Sequence, residues 1–182
     1  MWQADARLLK RASQGDQEAA RRLVKQLSPK AHALAWRMMA DSSEAEDVVQ
    51  EAFIKLLGQS AYAGRSALAT YFYTVVARLC LDRLRSRPQA PLNIDDLAEV
   101  TGNEQDSPAH AYDQLQSALG VQQALQQLNP RQRLAVSLWA YQDADAKEIA
   151  VVLDIDTNAA HQLLHRAKLN LKKLMNGVDH ER

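Results

Sequence analysis

Residues 41–57, DSSEAEDVVQEAFIKLL, carry the clearest helix signal in the chain. Apolar residues recur there at spacings of three and four, which predicts an amphipathic helix. The helix start has two possible registers, because Ser43 with Glu46 matches a capping box and Asp41 with Glu44 has the same spacing. The predicted core stripe consists of Ala45, Val48, Val49, Ala52, Phe53 and Leu56.

The opposite face of this helix combines acidic and amide groups with one aliphatic side chain. Its members follow the i, i+3, i+4, i+7 spacing of a single helical face. They are Asp47, Gln50, Glu51 and Ile54. Such a face suits docking against a basic partner helix, although a solvated surface face is the alternative.

The remainder of the chain predicts an all-α protein. Only 6 Gly and 5 Pro occur in 182 residues, and the apolar period is three to four rather than two. A helix is expected from about Asp16, with Val24 among its apolar positions, and Pro29 is expected to interrupt it before a third helix. Another long helix is expected over 68–85, after a loop at 58–66.

Charge divides the chain into three parts. Residues 1–87 hold 14 Lys and Arg against 9 Asp and Glu, whereas residues 88–130 hold no Lys or Arg and six acids. The prediction is therefore two small helical domains, 1–87 and 114–182, joined by a flexible acidic linker at 88–113, with a short helical turn near 94–100.

The environment of the protein is predicted from what the sequence lacks. The longest apolar runs are a few residues, far short of the ~20 that a membrane-spanning helix needs. The N-terminus shows no hydrophobic signal region. Cys80 is the single cysteine, so no intramolecular disulfide can form. These features favour a cytoplasmic protein without a membrane span.

The C-terminal part has the spacing of a helix-turn-helix. Asn129-Pro130 predicts a capped helix start, and Asp145 with Glu148 predicts a capping box for a short helix to 153. After a three-residue turn, a last helix is expected over 157–175. Its outward residues suited to bases and phosphates are Asn158, His161, Gln162, His165, Arg166 and Lys168. An ordinary helical hairpin with solvated polar residues is the alternative.

A second candidate nucleic-acid surface combines aromatic and basic residues in the stretch 62–87. Aromatic faces stack on unpaired bases while cations hold phosphates, which is what single-strand binding requires. The candidates are Tyr62, Arg65, Tyr71, Tyr73, Arg78, Arg83 and Arg85. The alternative is that the aromatic residues belong to the core and the arginines form a solvated helix end.

Catalysis finds little support in the sequence. His161 and His165 lie four residues apart, a spacing that suits two metal ligands on one helix face, but no third ligand is marked. The zinc-protease motif, phosphate-binding glycine loops and a Gly-x-Ser-x-Gly elbow are missing. No enzyme activity, metal or cofactor is therefore predicted, and Cys80 is read as a small core residue.

Three runs resemble bacterial sigma factors of the extracytoplasmic-function (ECF) group. Residues 45–53 resemble the polymerase-binding helix, and 70–85 resemble the helix that follows in the promoter-melting domain. Residues 128–133, 147–150 and 165–168 resemble the C-terminal promoter-binding domain. The resemblance implies a non-enzymatic initiation factor whose partners are core RNA polymerase, promoter DNA and an anti-sigma factor.

The resemblance also implies roles for the candidate surfaces. The face formed by Asp47, Gln50, Glu51 and Ile54 would dock on the clamp helices of the polymerase. The loop 58–66 would hold a flipped base of the −10 element beside the aromatic and basic helix. The last helix would read the −35 element.

The recognition helix departs from the family pattern. Where Thr-Val-Lys-Ser-Arg is common, this chain has Ala159-Ala160-His161-Gln162-Leu163, so two cations are replaced by His161 and Leu163. Fewer cations neutralise fewer phosphates and weaken the hold on duplex DNA. The alternative function is therefore a sigma-like mimic that binds an anti-sigma factor without recognising a promoter.

Overall fold

The structure is a computed structural model that describes residues 2–58, 62, 67–87 and 120–178, and all regular secondary structure in these residues is helical. The all-α prediction is therefore confirmed. The elements are α1 (Trp2–Ser13), α2 (Gln17–Met39), α3 (Ser42–Gly58), α4 (Leu68–Ser86), α5 (described over 120–127), α6 (Pro130–Gln142), α7 (Ala146–Leu153) and α8 (Thr157–Val178). The expected linker 88–113, its helical turn near 94–100 and most of the loop 58–66 lie outside the described residues.

Helices α1 to α4 pack around a shared apolar core. Asp16 begins α2, because its carboxylate accepts a hydrogen bond from the Ala19 N–H at 3.0 Å. Gly15 precedes it with φ +92°, a conformation that glycine adopts without steric cost. Phe72 of α4 is fully buried and contacts Phe53 of α3 with ring centroids 4.5 Å apart.

The predicted interruption at Pro29 is wrong. Helix α2 runs for 23 residues straight through Pro29, which lies exposed on its surface. Proline lacks a backbone donor and its ring crowds the carbonyl one turn earlier, but on the solvent side of a helix water can satisfy the freed carbonyl. The buried residues on both sides of Pro29, including Leu27 and Ala31, hold the helix together through tertiary packing.

Of the two possible registers for the start of α3, the structure has the one capped by Asp41. The Asp41 carboxylate accepts from the Glu44 N–H at 2.8 Å, and α3 begins at Ser42. Ser43 and Glu46 lie inside the helix and do not form the cap. The predicted core stripe is buried except for Phe53, which is half-buried.

The C-terminal helices form the predicted helix-turn-helix. The Asn129 side chain accepts from the Gln132 N–H at 2.9 Å with Pro130 in the first turn, and Asp145 and Glu148 form a reciprocal capping box. Residues 154–156 separate α7 from α8, and these two helices pack together.

The two helical units also pack against each other, with Arg133 of α6 at the centre of the contact. Arg133 is 5% exposed, and its guanidinium donates to the carbonyl oxygens of Leu125 (2.8 Å), Gln126 (2.7 Å) and Leu128 (3.3 Å). It also donates to Met38 O, at 2.6 Å, at the end of α2. Burial lowers the pKa of Arg133 to about 10, which leaves it charged at neutral pH.

Further contacts from the second unit satisfy the same end of α2. The Gln126 side chain donates to Arg37 O at 2.8 Å, and Gln122 donates to Trp36 O at 3.3 Å. The Arg37 guanidinium lies over the Tyr141 ring, 3.3 Å from its centroid. The last carbonyls of a helix lack intrahelical partners. The other unit supplies a partner to the carbonyls of Arg37 and Met38, and a second partner to that of Trp36, which already accepts from the Ala40 N–H at 2.8 Å.

Candidate functional site

The outward face of α3 forms one wall of an open groove against α2. Ile54 is 71% exposed there, and Val24 of α2 is 43% exposed. The groove has a volume of about 700 Å³. Its lining residues are Val24, Ser28, His32, Glu46, Val49, Gln50, Phe53 and Ile54. An exposed aliphatic side chain above an apolar floor with a polar rim is suited to receiving a partner helix.

Helix α2 contributes a wall that the sequence reading missed. Val24 was expected on the apolar core side of its helix, but it faces the groove. Ser28 and His32 follow it at one-turn spacing. That i, i+4, i+8 row was visible in the sequence, but the expected break at Pro29 separated His32 from the other two residues.

Asp47 and Glu51 differ in their surroundings. Asp47 is exposed, as predicted for a contact residue. Glu51 accepts from Arg83 Nη2 at 3.2 Å and pairs with Lys55 at 3.2 Å. Partial burial alone would raise the pKa of Glu51, but the hydrogen bonds from Lys55 and Arg83 outweigh it and hold the pKa below its usual value.

Arg83 therefore joins the two predicted surfaces. Besides Glu51, its guanidinium donates to the backbone oxygen of Glu44 at 3.3 Å, and Arg87 pairs with the Glu44 side chain. These bonds fix the C-terminal part of α4 against α3. Arg83 was predicted to touch the −10 strand, and the structure places its guanidinium against α3, where it pairs with the Glu51 carboxylate.

The predicted aromatic cluster forms around the start of α4. Tyr62 and Tyr71 lie with ring centroids 5.6 Å apart, and both rings are half-buried. Tyr73 packs on Phe72 with centroids 6.1 Å apart and lines a small cavity with Leu138 and other residues of the C-terminal unit. Burial raises the pKa of Tyr73. Tyr62 and Tyr71 thus form one pair, and Tyr73 lies apart at the contact between the units.

The remaining predicted cations of this surface differ in position. Arg78 and Arg85 are exposed on α4, and Arg85 pairs with Asp82 at 3.6 Å. A surface pair of this kind contributes little and leaves Arg85 able to exchange partners. Arg65 lies outside the described residues.

Helix α8 presents the predicted polar face. Ala160, Leu164 and Ala167 are buried against α6 and α7. The residues left outward and exposed are Asn158, His161, Gln162, His165 and Arg166. Asp156 caps the helix by accepting from the Ala159 N–H at 2.8 Å. The face that would enter a DNA groove is therefore intact at the start of the helix, where helix-turn-helix proteins contact base edges.

Lys168 is the exception on this helix. Its ammonium lies 3.3 Å from the centroid of the Trp139 ring, in a cation–π contact between α8 and α6. Lys168 is half-buried there, so reaching a phosphate requires it to leave the ring. This contact between residues 29 positions apart gave no signal in the sequence.

The described residues contain no cluster of three or more His, Cys, Asp or Glu with metal-binding geometry. Burial raises the pKa of the Cys80 thiol to about 12, although Arg83 opposes the shift. In this same part of the chain, none of the helices is both long and apolar enough to cross a bilayer.

Two family descriptions match the two helical units. Sigma-70 region 2 matches residues 23–88, and Sigma-70 region 4 matches residues 118–171. The sigma-H factor of Pseudomonas aeruginosa is 29% identical over 94% of this chain and 93% of its own length. The ECF sigma factor SigW of Bacillus subtilis is 27% identical over 91% and 93%.

The chain belongs to the ECF sigma factors. SigM of Mycobacterium tuberculosis, another member, is 28% identical over 94% of this chain and 85% of its own. ECF sigma factors are non-enzymatic initiation factors, and this one is a promoter-recognition subunit of RNA polymerase. The family resemblance of the sequence is confirmed.

Two solved structures share this fold. CnrH, solved with the cytosolic domain of CnrY, superposes with a TM-score of 0.69 at 20% identity over 96% of this chain and 98% of that one. RpoE of Bartonella quintana, solved with the anti-sigma factor NepR, gives a TM-score of 0.65 at 18% identity over 89% and 98%.

Proposed function

We propose that this ECF sigma factor binds core polymerase through the α2–α3 groove, and that Asp47, Gln50 and Ile54 make the contact. The observation that carries this assignment is Ile54, a large aliphatic side chain exposed beside an apolar groove of about 700 Å³. Solvent exposure of such a group is unfavourable and is relieved when a partner helix covers it. Glu51 acts differently, because Arg83 and Lys55 already hold it.

The −10 element is assigned to the surface that begins at Tyr62 and Tyr71. Opening a duplex costs a few kcal/mol per unstacked base, and stacking on aromatic rings returns about 1–3 kcal/mol per base. Arg78 and Arg85 are exposed on the adjoining helix and can meet the phosphates of the separated strand. Tyr73 reaches a base only after the C-terminal unit moves away.

The −35 element is assigned to the exposed start of α8. Asn158 and Gln162 can pair with the edge of an adenine, and His161, His165 and Arg166 lie on the same side. Because His161 and Leu163 occupy positions that are commonly basic in the family, few phosphates are neutralised. Binding to this element should therefore depend weakly on salt.

The domain organisation and setting complete the proposal. The two units extend over 1–87 and 114–182, with 88–113 as the linker, and the protein acts in the cytoplasm without a catalytic activity of its own. An anti-sigma factor is its regulator. The support for this partner is the shared fold with CnrH and RpoE, whose solved structures contain CnrY and NepR, the latter named an anti-sigma factor.

A retention assay with core polymerase tests the polymerase contact. Ile54→Asp should reduce retention of the protein at least tenfold, because it places a charge in the apolar groove. Met175→Asp is the matched control, since Met175 is also an exposed apolar residue but lies near the end of α8. If core polymerase retains wild type and the Ile54 variant equally, the α2–α3 groove is not the polymerase contact.

Run-off transcription separates the two candidate functions. A sigma factor gives a promoter-dependent product with core polymerase, whereas a mimic that only binds an anti-sigma factor gives none. If core polymerase retains the wild-type protein but gives no promoter-dependent product on a library of genomic promoters, the proposed promoter function is wrong.

A further inference from the structure

A basic groove between α1 and α2 is lined by none of the residues assigned to a function above. It has a volume of about 400 Å³, and the polar residues that line it are Asp5, Arg7, Arg11, Arg22 and Gln26. All but Gln26 precede residue 23, where the match to Sigma-70 region 2 begins. The family match therefore assigns no role to the three arginines.

Two of these arginines have charges available to a ligand. Arg11 is held by Asp16, with Nη2 and Oδ2 2.7 Å apart. Arg7 and Arg22 are exposed, and within the described part of the chain neither forms an ion pair. Asp5 is the acidic group among the lining residues. An anion entering the groove would thus meet two unpaired guanidinium groups and a third fixed by its partner.

The groove adjoins the aromatic pair of the −10 surface. Helix α1, which forms one wall of the groove, packs against α4, which carries Tyr71. Tyr62 lies against Tyr71, with ring centroids 5.6 Å apart. Burial and the negative charge of Asp5 also raise the pKa of Tyr62. The cationic groove and the stacking pair therefore lie on neighbouring elements.

We infer that the α1–α2 groove binds the phosphates of a single DNA strand whose bases stack at Tyr62 and Tyr71. Single-strand sites combine aromatic stacking with a cationic groove that follows the backbone, and here the two features lie on helices that pack together. Planar guanidinium groups match phosphate oxygens in a bidentate arrangement. This inference extends the proposed −10 function, on which it rests, to a second contact with the separated strand.

Binding of oligothymidylates to the full-length protein tests the inference without requiring a known promoter. Fluorescence anisotropy would be measured with labelled strands of about 4, 8, 12 and 16 nucleotides, the range that single-strand sites cover. Affinity should rise with length until the strand reaches from the aromatic pair into the groove. Arg7→Gln/Arg22→Gln should remove that rise and weaken binding of the longest strand roughly tenfold.

Salt dependence gives a second readout. Removing two phosphate contacts should make the slope of log affinity against log salt shallower by about 1.4, at about 0.7 per contact on single strands. Lys10→Gln/Arg21→Gln is the matched control, since these exposed cations lie on the same two helices outside the groove. It should leave the length dependence intact.

The outcomes separate this inference from the proposed function. Absence of wild-type binding, or an equal loss in both double variants, overturns the groove assignment even if run-off transcription succeeds. If the strand series behaves as expected but run-off yields no promoter-dependent product, the groove assignment stands and the promoter function falls.

Discussion

Replacing Arg133 by Met tests whether a buried guanidinium holds the C-terminal unit together. Arg133 is 5% exposed and donates to four backbone carbonyls, those of Met38, Leu125, Gln126 and Leu128, and to the side-chain oxygen of Gln126 at 2.6 Å. Methionine keeps part of the apolar stem but has no donor, so these acceptors would lose the guanidinium, although Leu125 O still accepts from the Leu128 N–H at 3.2 Å. A carbonyl that is buried without a partner is costly.

The expected magnitude follows from these contacts. Leaving buried neutral acceptors without a partner costs about 1–3 kcal/mol per group in the free energy of unfolding. Some of the carbonyls lie near the corner between α5 and α6, where water can reach them, so the lower end of that range is expected. Arg133→Lys keeps the charge but loses the planar fork, and its cost should lie between those of wild type and Arg133→Met.

Urea unfolding followed by circular dichroism measures the effect. The matched control is Arg131→Met, two residues earlier on α6, because Arg131 is exposed and makes one bond, to Leu153 O at 3.0 Å. Its cost should stay below about 1 kcal/mol. If both methionine variants lose the same stability, or Arg133→Met loses less than about 1 kcal/mol, the buried network does not stabilise the fold as argued.

Three further predictions concern the N-terminal unit. Ala40→Gly should raise the free energy of unfolding by about 0.5–1 kcal/mol, because Ala40 has φ +57°, a conformation that glycine adopts more easily. Ala140→Gly inside α6 is the control and should lower the free energy of unfolding. A lower melting temperature for the Ala40 variant would contradict this prediction. Burial raises the pKa of Cys80 to about 12, so the thiol should not react with a disulfide reagent at pH 8 until the protein is denatured. Rapid labelling of the native protein would show that Cys80 is accessible. Hydrogen bonds from the Ala19 N–H and Arg11 lower the pKa of Asp16 in the folded protein. The ionised carboxylate therefore stabilises the fold above its unfolded pKa of 3.8, and this stabilisation is lost as the pH falls through the lower folded pKa. The melting temperatures of wild type and Asp16→Asn should therefore converge in acid. A difference between them that stays constant down to the lowest pH measured would refute this prediction.

Local spacing predicted most of the helices correctly. The caps at Asn129 and Asp145 and the buried stripe of α3 follow from contacts between residues three or four apart, which the sequence displays directly. The choice between Asp41 and Ser43 could not be made in this way, because both offered the same spacing. Packing of α3 against its neighbours fixes where the helix begins.

Long-range pairing was beyond prediction. Arg83 looked like a DNA contact because it lies among arginines, and its bond to Glu51, 32 residues away, depends on how α3 and α4 pack. Val24 looked buried because it follows Leu23 among the apolar positions of α2, but it lines the open α2–α3 groove. Both errors arise because a sequence pattern shows which face is apolar but not what covers it.

The sequence by itself determined an all-helical chain, a helix-turn-helix and a sigma factor resemblance, since each depends on residues close together along the chain. Tertiary structure alone decided that Arg133 would satisfy the end of α2, 95 residues away, and that Lys168 would lie over Trp139. The physical reason is that a buried charge must find acceptors wherever packing provides them, and packing brings together groups whose separation in sequence follows no period.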